Sequence, residues 1–188
     1  MSRDEASLLD IAQVGAPTSS EEEQLVAELE HLSISYLSRQ TDYQVQRTRP
    51  PQNLLADLVQ QPNSRVRTAL IALLLAHPEY AQAVPSALSR LPLKDRWTLK
   101  LLYTAAMLLQ VEYSERLRPF LYDRWERLPD LFSEELQISL EGTPRERLVR
   151  LGEQHQSRTG ARLNWVGTYE NVVLHLMRRW ELERAWSR

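Results

Sequence analysis

The chain has 188 residues, of which 43% are hydrophobic and 26% charged, and its formal net charge is −2; this composition is typical of a globular protein and argues against disordered, collagen-like and membrane-spanning classes. The absence of cysteine excludes disulfides, thiolate metal sites and a cysteine nucleophile. The sequence has five glycines and no glycine-rich phosphate loop, and its longest wholly apolar run, Ala69 to Ala76, is far shorter than a membrane span. We therefore expect a cytoplasmic protein that has no membrane contact and binds no cofactor.

The charge is unevenly distributed along the chain. Residues 1–40 carry a net charge of −6, residues 41–128 a net charge of +4, and residues 129–188 a net charge of zero. The whole domain therefore lacks the basic footprint of a nucleic-acid-binding protein. Among the basic residues only Lys94 and Lys100 are lysines, an arginine excess that we interpret as coding in a GC-rich bacterial genome.

The first forty residues predict a tail followed by a peripheral helix. Residues 1–19 end in small residues and helix breakers, so we expect an N-terminal tail there and a single helical domain over residues 20–188. Ser20 and Glu23 form a capping box at the start of a helix predicted over residues 21–40. Its apolar residues recur every three or four positions and define one buried stripe, formed by Leu25, Leu29, Leu32 and Tyr36.

A connector over residues 41–51 leads into four helical segments separated by prolines. The segments cover residues 52–61, 64–76, 79–90 and 94–114. Pro85 is expected to kink or split the third segment. The second and fourth segments are apolar on nearly all sides, which predicts that they form the centre of the domain.

These proline-separated hairpins resemble α-solenoid repeats of the HEAT type over residues 52–114. That resemblance implies protein binding rather than catalysis. The repeat length of about 30 residues is shorter than the ~40 residues of HEAT repeats, which favours the alternative of two hairpins stacked inside a globular bundle.

The remaining chain predicts two further long helices. A helix is predicted over residues 143–159. Its start is marked by Thr143, Pro144 and Glu146, and its end is marked by Gly160. A last helix runs from about residue 168 to the end, with a buried stripe formed by Tyr169, Val173, Leu176 and Trp180. Strand signals are almost absent, so we predict an all-α, compact bundle of seven or eight helices.

Arg150 and His155 form an Arg-x4-His pattern on the predicted helix 143–159. The pattern resembles the catalytic motif of the HEPN domain family of helical RNases and nucleotide-binding proteins. The resemblance implies RNA cleavage without a metal, with the histidine moving the 2′-hydroxyl proton and the arginine stabilising charge on the phosphate. The alternative, which we favour, is a solvated helix face on which Arg147, Arg150 and Glu153 pair at a spacing of three.

No metal site or other catalytic group is predicted. The four histidines are far apart in sequence and form neither a His-x3-His nor a His-Glu-x2-His pattern; they are His31, His77, His155 and His175.

Two groups of residues are candidates for binding a partner. The arginines around the Pro50-Pro51 connector could contact the phosphates of a nucleic acid, with a solvated arm as the favoured alternative; they are Arg47, Arg49, Arg65 and Arg67. At the carboxyl end, Trp186 follows Trp180 by six residues and therefore leaves the buried stripe. An exposed tryptophan flanked by Arg184 and Arg188 is suited to contact with another chain.

Two functions follow from this sequence. The first is a non-catalytic helical interaction module, an adaptor or regulatory subunit that binds another protein chain or a second copy of itself. The alternative is a HEPN-like, metal-independent RNase or a toxin directed at nucleic acid, with Arg150 and His155 as its catalytic residues.

Overall fold

The computed structural model describes residues 19–37, 48–161 and 163–186. The predicted tail up to residue 18 and most of the predicted connector lie outside these ranges. Within them every regular element is a helix and there is no strand, which confirms the all-α prediction.

Eight α-helices pack against one another. They are α1 (Ser19–His31), α2 (Pro51–Gln60), α3 (Ser64–Ala76), α4 (Val84–Arg90), α5 (Leu93–Glu112), α6 (Ser114–Leu121), α7 (Pro144–Thr159) and α8 (Trp165–Trp186). Short 3₁₀ helices occupy Ser35–Leu37, Pro78–Ala83 and Tyr122–Arg124.

Helix α1 ends well before the predicted residue 40. The backbone N–H of Ile34 donates to the carbonyl of Leu29, and that of Ser33 donates to Glu30, with Ser33 at a positive φ of 64°. This is a Schellman ending, in which the buried Ile34 turns back toward the buried Leu29. Sequence analysis missed it because serine stands where glycine usually marks such a turn.

The prolines separate α2 to α5 as predicted. Pro85 lies in the first turn of α4, and the predicted segment 79–90 is split into the 3₁₀ helix Pro78–Ala83 and α4. Helix α2 packs on α4, and α3 packs on α5, so the two hairpins are stacked. Helix α7 covers α5, and α8 contacts α3, α5 and α7, which encloses the hairpins in a bundle.

Helices α3 and α5 form the centre of the core, as their uniformly apolar sequences predict. Every residue from Thr68 to Ala76 is buried, and so is every residue from Leu101 to Gln110. A single hydrophobic cluster extends from Leu25 in α1 to Trp180 in α8.

Polar groups of α5 hold the non-helical segment 125–142. The side chain of Gln110, which is buried, donates to the carbonyl of Glu126 and accepts from the backbone N–H of Leu128, both at 2.8 Å. The Tyr103 hydroxyl donates to the carbonyl of Pro129, also at 2.8 Å. These bonds satisfy backbone groups that have no hydrogen-bond partner within a helix, so the segment follows a defined path across the bundle.

Helix α7 has the predicted boundaries and caps. Thr143 and Glu146 complete a capping box, and Gly160 closes the helix in the left-handed conformation at φ 66°. Helix α8 begins at Trp165, three residues before the predicted start, because the Asn164 side chain accepts from the backbone N–H of Gly167 and caps the helix.

Within the described ranges, none of the helices has both the length and the apolar character needed to cross a membrane.

The central position of α3 makes its leucines essential for stability. We expect Leu73→Ala to lower the free energy of unfolding by about 2–5 kcal/mol, because Leu73 is fully buried and the substitution leaves a cavity. Chemical denaturation measures this. Leu93→Ala, at a side chain that is 79% exposed, is the matched control and should change stability by less than about 0.5 kcal/mol. Equal effects of the two substitutions would contradict the central position of α3.

Candidate functional site

His155 lies inside the bundle, in a stack of aromatic rings. Its ring stacks on that of Trp165, with centroids 3.5 Å apart and planes inclined by 13°. A hydrogen bond of 2.6 Å joins its Nδ1 to the hydroxyl of Tyr169, and only 5% of the residue is exposed. Helix α7 supplies the histidine, and the first turns of α8 supply both aromatic partners.

Burial determines the protonation state of this histidine. Desolvation lowers the pKa of His155 to about 4, and the nearby Arg67 guanidinium acts in the same direction. Burial also raises the pKa of Tyr169 well above its ordinary value. At neutral pH both groups are therefore uncharged, and the arrangement is that of a satisfied polar pair within a packed core.

The structure places Arg150 and His155 in different environments. Five residues on a helix correspond to a rotation of about 140°, so the two side chains leave α7 on different sides. Arg150 is exposed, and its guanidinium donates to the carbonyl of Glu141 at 3.0 Å. A phosphate held by Arg150 at the surface would not be in the enclosed environment of His155.

The predicted basic patch is divided among separate contacts. Arg49 makes ion pairs with the buried Glu28 at 2.8 Å and with Asp57 at 2.9 Å, and burial raises the pKa of the Asp57 carboxyl against the opposing effect of Arg49. Arg67 is half-buried and donates to the carbonyl of Gln61. Arg65 remains exposed, whereas Arg47 lies outside the described residues.

Arg184 acts as a bridge between α8 and α6. Its guanidinium donates to the carbonyl of Pro119 at 2.6 Å and to the hydroxyl of Tyr122 at 3.0 Å, and it lies 4.6 Å from the centre of the Phe120 ring. These contacts fix the arginine as a structural link, although the sequence suggested a binding residue. Arg188, the other predicted flanking arginine, lies outside the described residues.

Trp186 is exposed as predicted, with 74% of its surface accessible. The structure also shows which side chains accompany it. Leu174 and Leu182 on the same helix are 40% and 42% exposed, and Arg178 between them is exposed as well. These four residues recur every four positions, and we call them the α8 ridge. Sequence analysis missed Leu174, Arg178 and Leu182 because the residues of the buried stripe account for most of the hydrophobic periodicity of α8.

A cleft of about 230 Å³ opens between the start of α3, the 3₁₀ helix Ser35–Leu37 and the first half of α8. Its wall is formed by Tyr36, Ser64, Arg65, Thr68, Thr168, Asn171, Val172 and His175. Of these, sequence analysis singled out Arg65 as a candidate binding residue. The others come from three distant parts of the chain, and no motif joins them.

The described residues contain no group of three or more histidine, aspartate or glutamate side chains placed to hold a metal ion.

No protein-family model, no curated protein and no solved structure matches this chain.

The burial of His155 predicts a specific dependence of stability on pH. Because the pKa of His155 is about 4 in the folded state, below the ordinary value near 6.5, the unfolded state binds the extra proton. The resulting stability is fully present above about pH 6.5 and is lost as the pH falls toward 4, with a magnitude of roughly 3 kcal/mol. Chemical denaturation at a series of pH values should show this decline in the wild-type protein.

The contribution of His155 can be isolated by substitution. His155→Gln should flatten the decline, because glutamine hydrogen-bonds without titrating in this range. Gln156→Ala, at an exposed and non-titrating residue next to His155 on α7, is the control and should leave the slope unchanged. A slope that is the same in wild type and His155→Gln would contradict a neutral, buried His155.

The same burial predicts the result of an RNase assay. We expect no metal-independent cleavage of single-stranded RNA by the full chain, because His155 is enclosed and separated from Arg150. Gel analysis of RNA incubated in a chelator measures this. Cleavage that disappears in both Arg150→Ala and His155→Gln, with the melting temperature preserved, would establish the HEPN-like activity instead.

Proposed function

We propose that the protein is a non-catalytic helical interaction module, and that it associates with a second copy of itself through the α8 ridge. The observation that carries this proposal is the exposure of Trp186 at the end of a ridge that also exposes Leu174 and Leu182. Tryptophan, with tyrosine and arginine, is enriched at the energetic centres of protein interfaces.

The spacing of the ridge suits helix-to-helix packing. Residues four positions apart on an α-helix form a continuous ridge, and such ridges fit the grooves of a neighbouring helix. The ridge faces away from the bundle, because the residues of the opposite face of α8 are buried; they are Tyr169, Val173, Leu176 and Trp180.

The ridge is complementary to itself in the antiparallel direction. When two copies of α8 are aligned antiparallel and centred at residue 180, Leu174 of one lies opposite Trp186 of the other. The same alignment places Arg178 opposite Leu182 of the second copy and one position from its Glu181, so an apolar contact and an opposite-charge contact each occur twice. This is the residue pattern required of a two-fold symmetric interface.

Glu181 is available for such a contact. Its carboxylate is 3.9 Å from Arg116, and both side chains are more than half exposed, so this pair contributes little to the stability of one copy.

Sedimentation equilibrium of the full chain tests the proposal. We expect a monomer–dimer equilibrium with a Kd on the order of 10–100 μM, because a single pair of helices makes a small interface. Trp186→Ala should weaken association at least about tenfold, since it removes the largest apolar contact of the ridge. Leu140→Ala, at another exposed leucine outside the ridge, is the matched control and should leave the Kd unchanged.

Exchange of the two charged residues distinguishes the antiparallel interface from nonspecific association. Arg178→Glu and Glu181→Arg should each weaken the dimer, and the double variant should restore it to within about threefold of wild type. A wild-type chain that stays monomeric to about 1 mM, or a dimer that none of these variants changes, would refute the proposed interface.

A further inference from the structure

The cleft beside Tyr36 contains several polar groups without partners. The side chains of Ser64, Asn171 and His175 make no hydrogen bond to any residue in the described ranges, and all three border the cleft. The buried hydroxyl of Tyr36, which borders it too, has no hydrogen-bond partner. The Tyr36 hydroxyl is enclosed, whereas the side chains of Ser64, Asn171 and His175 are exposed and available to a ligand that supplies acceptors.

The charge of the cleft is positive. Among the described residues that line it, Arg65 carries a permanent positive charge and none is acidic. Its guanidinium uses Nη2 to donate to the backbone carbonyl of Tyr36 at 3.2 Å, which fixes the side chain at the cleft and leaves its other N–H groups available.

Two helix amino ends add to this positive potential. Ser64 begins α3, and Thr168 lies in the first turn of α8, and neither helix has an acidic residue in its first turn. A carboxylate does reach the cap of α3, because Glu22 accepts a hydrogen bond of 2.7 Å from the Asn63 side chain. Side chains cap both helix starts, because Asn63 accepts from the Arg65 N–H and Asn164 from the Gly167 N–H, so the contribution of these ends is that of their helix dipoles, which favour an anion between them.

The rest of the wall can accommodate a larger group than an ion. The rings of Tyr36 and His175 are stacked, with centroids 6.0 Å apart and planes inclined by 15°, and Val172 lies beside them. Thr68 and Thr168 donate their hydroxyl hydrogens to backbone carbonyls, so each presents only lone pairs to the cleft. These lone pairs can accept hydrogen bonds from ligand hydroxyl groups.

We propose that this cleft binds the phosphate group of a small phosphate monoester, such as a sugar phosphate or a mononucleotide. Arg65, Ser64 and Asn171 would donate to the phosphate oxygens, and the stacked rings would contact the remainder of the ligand. A phosphate suits the site better than a carboxylate because three donors converge from two helices, α3 and α8, and a tetrahedral anion can accept bonds from all of them.

A small ligand also fits the charge pattern better than a nucleic acid chain. Nucleic acid binding requires a series of free cations along the backbone. Here Arg49 forms ion pairs with Glu28 and Asp57, and Arg67 is half-buried and donates to the carbonyl of Gln61. Neither arginine is therefore available to extend a phosphate-binding surface from Arg65.

Titration of the ¹⁵N-labelled full chain, followed by amide NMR, tests the proposal at constant ionic strength. The probes are inorganic phosphate, ribose 5-phosphate and ribose. We expect saturable shifts at residues 64–68 and 168–175 with both phosphate probes, tighter binding of ribose 5-phosphate, and no shift with ribose. The same spectra report whether each variant is folded.

Variants on the two walls identify the site. Arg65→Gln and Asn171→Leu should each weaken binding, the first by about tenfold or more because it removes a charged hydrogen bond. Arg90→Gln, at an exposed arginine outside the cleft, is the matched control and should stay within about twofold of wild type.

Three outcomes would overturn the proposal. The first is the absence of a saturable shift at about 20 mM phosphate probe. The second is binding that Arg65→Gln and Asn171→Leu leave unchanged, which would mean that the anion is held elsewhere. The third is tighter binding of a single-stranded RNA without terminal phosphates than of ribose 5-phosphate, with steep salt dependence, which would assign the cleft to a nucleic acid backbone.

Discussion

The fold depends on the mutual burial of α3 and α5. Neither helix has a polar face over its central turns, so each is stable only when other helices surround it. Helix α2 reaches this core as the hairpin partner of α3, and α7 and α8 cover the remaining sides. The peripheral helices can therefore be amphipathic, and their outer faces are free to carry the side chains by which the molecule contacts its surroundings.

A few buried polar groups direct the irregular part of the chain. Gln110 and Tyr103 project from the otherwise apolar α5 and bind the backbone of residues 126–129. Asp130 continues this anchorage, because it accepts from Arg147 at 2.9 Å and from the backbone of Ser133 at 3.1 Å, bonds that lower the pKa of its carboxyl despite partial burial. The path of a segment without helical periodicity is thus specified by hydrogen bonds from its neighbours.

Sequence analysis predicted the features that local chemistry decides. The capping box at Thr143, the stop at Gly160 and the division at Pro85 depend on a few adjacent residues, and all three were correct. The end of α1 was wrong because Ser33 replaces the expected glycine in a turn that packing of Ile34 stabilises. The environment of His155 and the cleft beside Tyr36 were not predictable, since each is assembled from residues that only the tertiary structure brings together.

The ion pair between Glu28 and Arg49 has a consequence for substitutions at either position. The backbone N–H and the guanidinium of Arg49 both donate to the buried Glu28 carboxylate. Removal of the arginine side chain alone would leave a negative charge enclosed in the domain with its main counter-charge gone, which costs more than the pair contributes. Replacement of both residues by apolar side chains of similar size would leave no such charge, so the effects of substitutions at Glu28 and Arg49 are not additive.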